Sequence, residues 1–104
     1  MSDPTPTLLG IDVGGTNLRL ALWQGLELRW EGRHVANLGQ LCAQASNANE
    51  AAGLVLGTLN RAIESALQQS PAIAAIGIGF PGFIQPGSRV ISQSPNLPGL
   101  RDLD

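Results

Sequence analysis

Two long apolar runs, one near each end of the chain, constrain its fold more than any other feature. The first is TLLGIDV at 7–13 and the second is AIAAIGIGF at 72–80. Runs with so few polar residues are typical of strands that are buried on both faces. Between them, a helix is predicted from an N-cap at Asn49 to the break at Pro71. Its apolar face consists of Val55, Leu59, Ala62 and Ala66. Strand, helix and strand in this order predict a right-handed crossover that places the two strands side by side and parallel.

The segment that follows the first strand predicts an antiparallel meander. Gly14-Gly15-Thr16-Asn17 is a turn sequence, and residues 18–23 then alternate, with leucines at every second position. Gln24-Gly25 supplies a second break, after which 26–31 alternates again. Together with the crossover, these segments predict an α/β fold with a mixed sheet.

The remaining segments complete the expected domain organisation. Residues 1–6 are polar and broken by proline, which indicates a flexible leader, and 7–104 are expected to form one lobe. The last part is rich in loops, with a short strand predicted at 89–92 and the start of another element at 100–104. His34 is placed in a polar connection, while Cys42, Trp23 and Trp30 are interpreted as packing residues.

Composition excludes several classes of function. The chain of 104 residues is 43% hydrophobic with a net charge of −2, which argues against disorder. It contains no lysine, so the Walker phosphate loop is absent, and its six arginines are scattered rather than clustered for nucleic acid. A single cysteine cannot form a disulfide framework or a zinc site. No secretory signal or membrane-length apolar run is present, so a cytoplasmic protein that binds neither membrane nor nucleic acid is expected.

A glycine pattern after the second apolar run matches a dinucleotide-binding fingerprint, but its context does not. GIGFPG at 77–82 fits G-x-G-x-x-G, yet the fingerprint must open a helix whose N-terminus receives a pyrophosphate. The following residues, FIQPG, have no helical period and contain another proline. We therefore reject a dinucleotide site here.

The turn after the first strand carries the strongest chemical signal. Asp12 lies near the end of an otherwise apolar strand, where a buried carboxylate needs hydrogen bonds or a cation. Gly14 and Gly15 can adopt positive φ and present backbone N–H groups that form an anion-binding concavity. Thr16 and Asn17 add a hydroxyl and an amide, and Asp12 could hold Mg²⁺ directly or through water. The alternative is an ordinary hairpin in which backbone donors satisfy Asp12.

Three segments resemble a known family of proteins. LLGIDVGGTNLRLALW resembles the first phosphate motif of the sugar kinase, actin and heat-shock chaperone superfamily. IGIGFPGFI and SPNLPGL resemble, more specifically, the ROK family of sugar kinases and sugar-responsive repressors. The resemblance extends over 8–100 and implies a ribonuclease H-like sheet, in the N-terminal half of a two-lobe kinase.

The same resemblance implies ATP and Mg²⁺ as cofactors and a hexose or an N-acyl hexosamine as substrate. It places ATP phosphates and the metal at the first motif, namely at Asp12, Gly14, Gly15, Thr16, Asn17 and Arg19. It places the sugar beside Gly82 and Asn96. Alternatives remain for three of these residues: Arg19 as a solvated or paired arginine, Gly82 as a plain turn glycine, and Asn96 as a self-capping turn residue.

Further implications concern what the chain does alone. In the family, the general base belongs to an Asn-Asp pair on a later helix, and a Cys/His zinc cluster also comes later. The 104 residues are therefore expected to be a kinase N-terminal lobe without activity of its own, with self-association into a homodimer possible. The alternatives are the sugar-sensing domain of a ROK-type transcriptional regulator and a non-catalytic kinase fragment.

Overall fold

The structure is a computed structural model that describes residues 5–94 and 96–103. Most of the predicted leader, residues 1–4, and the end of the predicted lobe at Asp104 lie outside the described residues. The elements are β1 (Thr7–Val13), β2 (Asn17–Gln24), β3 (Glu27–Val35), α1 (Leu38–Gln44), α2 (Ala48–Gln69), β4 (Ile73–Gly79), β5 (Phe83–Ile84), β6 (Ile91–Gln93) and β7 (Arg101–Leu103).

The main sheet has the strand order β3-β2-β1-β4 and confirms the predicted topology. Strands β1, β2 and β3 form the antiparallel meander. Strand β4 returns through α2 to pair parallel with β1, with Gly10 opposite Gly77 and Asp12 opposite Gly79. This mixed pattern is the one that the two apolar runs and the intervening helix predicted.

One face of this sheet forms the core with α2. The inward residues of β1 and β2 are all buried: Leu9, Ile11, Val13, Leu18, Leu20 and Leu22. The predicted apolar face of α2 is buried too, since Val55, Leu59, Ala62 and Ala66 are at most 9% exposed. The Cα trace is only 17 Å across its thinnest dimension, as expected for one sheet and one helix layer.

The opposite face of the sheet is open, which corrects the prediction that β1 and β4 are buried on both sides. Leu8 is 43% exposed, and Gly10 and Asp12 share its face of β1. On β4, even Ile76 and Ile78, beside core residues of β1, are 42% and 47% exposed. Among the described residues, no helix layer covers this face, so apolar composition alone overestimated burial.

A second, smaller sheet has the order β5-β6-β7, antiparallel throughout. The strand predicted at 89–92 is shifted to Ile91–Gln93, and the element expected at 100–104 is β7. Strand β4 is followed by the short strand β5, not by a helix. The GIGFPG segment therefore lacks the helix that a dinucleotide fingerprint requires.

The helix boundaries differ from the predictions in two places. Helix α2 begins at Ala48 and is capped by Asn47, whose Oδ1 accepts a hydrogen bond from the Glu50 N–H at 2.9 Å. The carboxylate of Glu50 in turn accepts from the Ser46 N–H at 3.2 Å, which fixes the cap two residues before the predicted Asn49. Helix α1 was not predicted; its buried residues, Leu38 and Cys42, are spaced i, i+4.

Strand β3 also differs from its prediction. Its pairing with β2 runs until Val35 lies opposite Asn17, so His34 lies on a strand and not in a connection. Leu26 belongs to the turn and is 98% exposed, beside Gly25 at a φ of 63°.

Across the described ranges, no helix has the length and hydropathy needed to traverse a lipid bilayer.

Candidate functional site

The turn at residues 14–16 is held by backbone hydrogen bonds on two sides. Within it, the Gly14 N–H donates to the Asn17 carbonyl at 2.9 Å. From the next connection, the Ala36 and Asn37 N–H groups donate to the Thr16 carbonyl at 3.0 and 2.9 Å. The Gly39 N–H, in the first turn of α1, donates to the Gly15 carbonyl at 2.8 Å. The turn is thus fixed by its carbonyl groups, which leaves most of its N–H groups available.

Close packing, and not positive φ, explains the two glycines of this turn. Neither Gly14 nor Gly15 has a φ in the left-handed region, contrary to the expectation from sequence. A Cβ on Gly14 would lie 2.9 Å from the Asn17 carbonyl oxygen, and one on Gly15 would lie 3.2 Å from the Asn96 carbonyl oxygen. A Cβ on Gly14 would collide with the turn itself, and a Cβ on Gly15 would force the Asn96 backbone to shift slightly.

The turn presents unused hydrogen-bond donors at its tip. No backbone or side-chain acceptor within residues 5–94 and 96–103 receives a bond from the Gly15 or Thr16 N–H groups. Thr16 is exposed, and the Asn17 side chain is half-buried. Consecutive N–H groups that are not satisfied internally can bind an anionic oxygen. The Gly15 and Thr16 N–H groups are therefore candidate donors to an anion such as phosphate.

Asp12 and Arg19 lie side by side at the edge of an open cavity. They are register partners on β1 and β2, both exposed, and they line a cavity of about 400 Å³ on the open sheet face. Its floor consists of small residues from three adjacent strands: Gly10, Ala21, Gly77 and Gly79. In the described part of the chain, neither side chain forms an ion pair or a hydrogen bond.

The structure contradicts the expected burial of Asp12, while its role as a cation ligand stays a prediction. Its carboxylate is exposed and not buried. The hairpin alternative required backbone donors to this carboxylate, and none is found among the described residues. No group of three or more His, Cys, Asp or Glu residues is assembled anywhere in the described ranges. Asp12 can therefore offer a cation one carboxylate, which suits Mg²⁺ because it usually keeps several waters and binds substrate phosphates.

The loop around Asn96 packs directly against the glycine turn. The Asn96 carbonyl oxygen lies where a Cβ on Gly15 or Gly39 would approach it to 3.2 or 2.8 Å. Leu97 and Leu100 are fully buried and anchor the loop in the core, while Asn96 itself is exposed. The structure thus places Asn96, the predicted sugar-binding residue, against the turn that was predicted to bind phosphate.

Gly82 lies beside the smaller sheet. A Cβ there would approach Cγ2 of Ile91 to 2.5 Å and the Gln93 carbonyl oxygen to 3.2 Å. Close packing against β6 therefore accounts for the glycine by itself. The three atoms nearest to such a Cβ belong to Ile91, Gln93 and Phe80.

Helix α1 links the turn and the loop, and sequence reasoning missed it. Gly39 contacts both Gly15 and Asn96, and Gly99 (φ 92°) packs so closely on the Cys42 carbonyl that a Cβ would lie 2.6 Å away. Burial raises the pKa of the Cys42 thiol, which keeps it neutral and unreactive inside this contact. The only sequence signal for α1 was the i, i+4 spacing of Leu38 and Cys42.

Comparison with known proteins identifies the fold and the family of this chain. Among curated protein sequences, none matches the chain. Fourteen chains of solved structures match it, one of them a putative sugar kinase from Cytophaga hutchinsonii, with a TM-score of 0.65 and 25% identity. The match covers 92% of this chain and 29% of that one, so the chain spans less than a third of its structural neighbour. The likeness confirms the predicted α/β fold with its mixed sheet, which matches a sugar kinase N-terminal lobe. The sequence model that describes the ROK family matches residues 8–104, and the chain therefore belongs to the ROK family.

Proposed function

We propose that this chain provides the phosphate-binding turn and one wall of the sugar site of an ATP-dependent sugar kinase. The observation that carries the proposal is the junction of three parts: the donors at Gly15 and Thr16, the exposed carboxylate of Asp12, and the Asn96 loop packed against the turn. A donor tip beside an open carboxylate suits a phosphate chain together with its cation.

Each residue of the turn has a distinct role in this proposal. The Gly15 and Thr16 N–H groups bind terminal phosphate oxygens of ATP, and the Thr16 hydroxyl and the Asn17 amide add further donors. Asp12 holds Mg²⁺ directly or through water, and the metal supplies neutralisation of phosphate charge. Arg19, beside Asp12 on the next strand, adds positive charge at the same edge.

The proposed phosphoryl acceptor is a hydroxyl of a hexose or an N-acyl hexosamine. The proposed location of the protein is the cytoplasm. Asn96 orients the sugar, because its exposed amide lies in a loop that contacts the phosphate turn. Gly82, which packs closely against Ile91 of β6, borders the sugar in this proposal. We assign no general base to the described residues, so the proposal for this chain alone concerns binding and not turnover.

Calorimetric titration of ATP into the 104-residue chain, with and without Mg²⁺, tests the proposal. In the wild type, Mg²⁺ should strengthen ATP binding, and Asp12→Asn should remove most of that gain, about tenfold in Kd or ~1.4 kcal/mol. Glu64→Gln is the matched control, because it removes one exposed carboxylate from α2, away from the turn. Equal Mg²⁺ dependence in the wild type and in Asp12→Asn would refute the metal assignment.

A further inference from the structure

The two edges of the main sheet differ in charge. The strand order leaves β3 and β4 each with one neighbouring strand among the described residues, so each presents a row of backbone N–H and C=O groups to a further strand. Strand β4, with the sequence IAAIGIG, contains neither a charged residue nor a proline. Charged side chains protect a sheet edge from pairing with another chain, and only β3 has them. These residues of β3 are Glu27, Arg29, Glu31 and Arg33.

Strand β4 also exposes apolar side chains on the sheet face that α2 covers elsewhere. Ile76 and Ile78 are the register partners of Leu9 and Ile11 on β1, so the four side chains share one face of the sheet. Leu9 and Ile11 are buried, whereas both isoleucines are nearly half exposed. In the described part of the chain, the layer that buries β1 therefore stops short of β4, and this edge is apolar as well as unpaired.

One flank of α2 adds to this apolar surface. Leu56, Ile63 and Leu67 each follow a buried residue of the helix by one position, so all three lie on the same side of its buried face. Leu56 and Leu67 are exposed, and Ile63 is half-buried. In a right-handed crossover from β1 through α2 to β4, this side of the helix is directed towards β4. Flank and edge together form the β4 surface, which consists of Leu56, Ile63, Leu67, Ile76 and Ile78. Large exposed apolar patches of this kind mark sites of protein association.

We propose that the β4 surface is the interface of a twofold dimer of this chain, in which β4 pairs antiparallel with β4 of a second copy. A twofold axis places the same row of N–H and C=O groups on both sides, so that each row satisfies the other. The neutral strand meets itself without opposed like charges. The same axis brings the apolar flanks of both α2 helices over the paired strands. The joined sheet then ends on both sides at a charged β3, which stops further growth. The inference does not rest on ATP binding at the glycine turn.

Analytical ultracentrifugation of the 104-residue chain over a range of concentrations tests the proposal, and circular dichroism checks that each variant is folded. The wild type should form a discrete dimer and no larger species. Ile76→Lys places two like charges near the twofold axis and should weaken dimerisation about tenfold or more. Leu56→Gln removes an apolar contact from the α2 flank and should weaken it about tenfold. Leu28→Lys is the matched control, because Leu28 is 43% exposed against 42% for Ile76 but lies on β3. This variant should dimerise as the wild type does.

Amide hydrogen exchange of the wild type is a second measurement, which keeps the test decisive if Ile76→Lys does not fold. As the protein concentration rises through the dissociation constant, exchange along β4 should slow, whereas exchange along β3 should stay unchanged. The proposal is overturned if the folded wild type stays monomeric at millimolar concentration or forms open-ended aggregates. It is also overturned if folded Ile76→Lys dimerises like the wild type, or if Leu28→Lys is the variant that dissociates. A monomer would leave the proposed ATP site intact, because the glycine turn is not part of the β4 surface.

Discussion

The two faces of β1 and β2 have opposite surroundings although their residues alternate along the same strands. On one face, Leu9, Ile11 and Leu20 are at most 4% exposed, because α2 covers them. On the other face, Asp12 and Arg19 are exposed and border a cavity with a floor of glycine and alanine. The two faces of the same strands thus have different roles: the covered face stabilises the lobe, and the open face is available for binding.

Two adjacent leucines provide the strongest test of this division. Leu9 is 1% exposed and Leu8 is 43% exposed on the same strand. Leu9→Ala should lower the free energy of unfolding by about 2–5 kcal/mol, because it leaves a cavity in the core. Leu8→Ala should lower it by roughly 1 kcal/mol or less, because its side chain remains in partial contact with water. Urea denaturation measures both, and equal losses would mean that the open face is covered as well.

Two helical glycines extend the comparison to the contact between α1 and the loop. A Cβ on Gly39 would lie 2.8 Å from the Asn96 carbonyl oxygen, whereas a Cβ on the exposed Gly53 meets nothing within 4 Å. Gly39→Ala should therefore destabilise by about 1–3 kcal/mol through forced displacement of backbone. Gly53→Ala should stabilise by roughly 0.5–1 kcal/mol, since alanine favours the helix. Thermal unfolding should show opposite signs, and stabilisation by Gly39→Ala would contradict the close contact.

The beginning of α2 supplies a smaller effect. Asn47→Ala removes the side-chain acceptor of the Glu50 N–H and should lower stability by about 1 kcal/mol. Asn49→Ala is the matched control and should change stability by less than roughly 0.5 kcal/mol, because Asn49 is exposed inside the helix. If urea denaturation showed a larger loss of stability for Asn49→Ala than for Asn47→Ala, Asn49 would be the N-cap, as the sequence predicted.

The smallest effect is the contribution of the buried Cys42 thiol to the pH dependence of stability. Burial raises the pKa of the Cys42 thiol above its ordinary value of 9.0, so the folded state holds this proton more tightly than the unfolded state. The contribution is fully present below pH 9.0 and is lost as the pH rises through the folded pKa. Cys42→Ala should remove that part of the alkaline loss in urea denaturation at several pH values. An unchanged alkaline slope in the variant would show that the thiol does not contribute.

Local patterns were sufficient to predict the strand order of the main sheet and its crossover helix. The apolar runs, the leucine alternation and the helical spacing of Val55 and Leu59 each report a periodicity that belongs to one element. Burial of the second sheet face could not be read in this way, since an apolar strand has the same sequence whether or not another layer covers it. The position of the α2 cap depended on side-chain geometry that both Asn47 and Asn49 could provide.

The candidate site was only partly predictable, for a related reason. The residues of the turn at 14–17 could be identified because they are adjacent in sequence. The exposure of Asp12, in contrast, could be determined only from the folded sheet. The contact of Gly15 and Gly39 with Asn96 joins three distant segments, and nothing in a single sequence reports such a distance.

The most direct test of the central claim is the position of the amide shifts when Mg-ATP is added to the isotopically labelled chain. We expect the largest shifts at the Gly15 and Thr16 N–H groups, with smaller shifts at Asp12 and Asn96 and none along the covered residues of α2. Shifts that leave the glycine turn unchanged while the chain binds Mg-ATP elsewhere would contradict it.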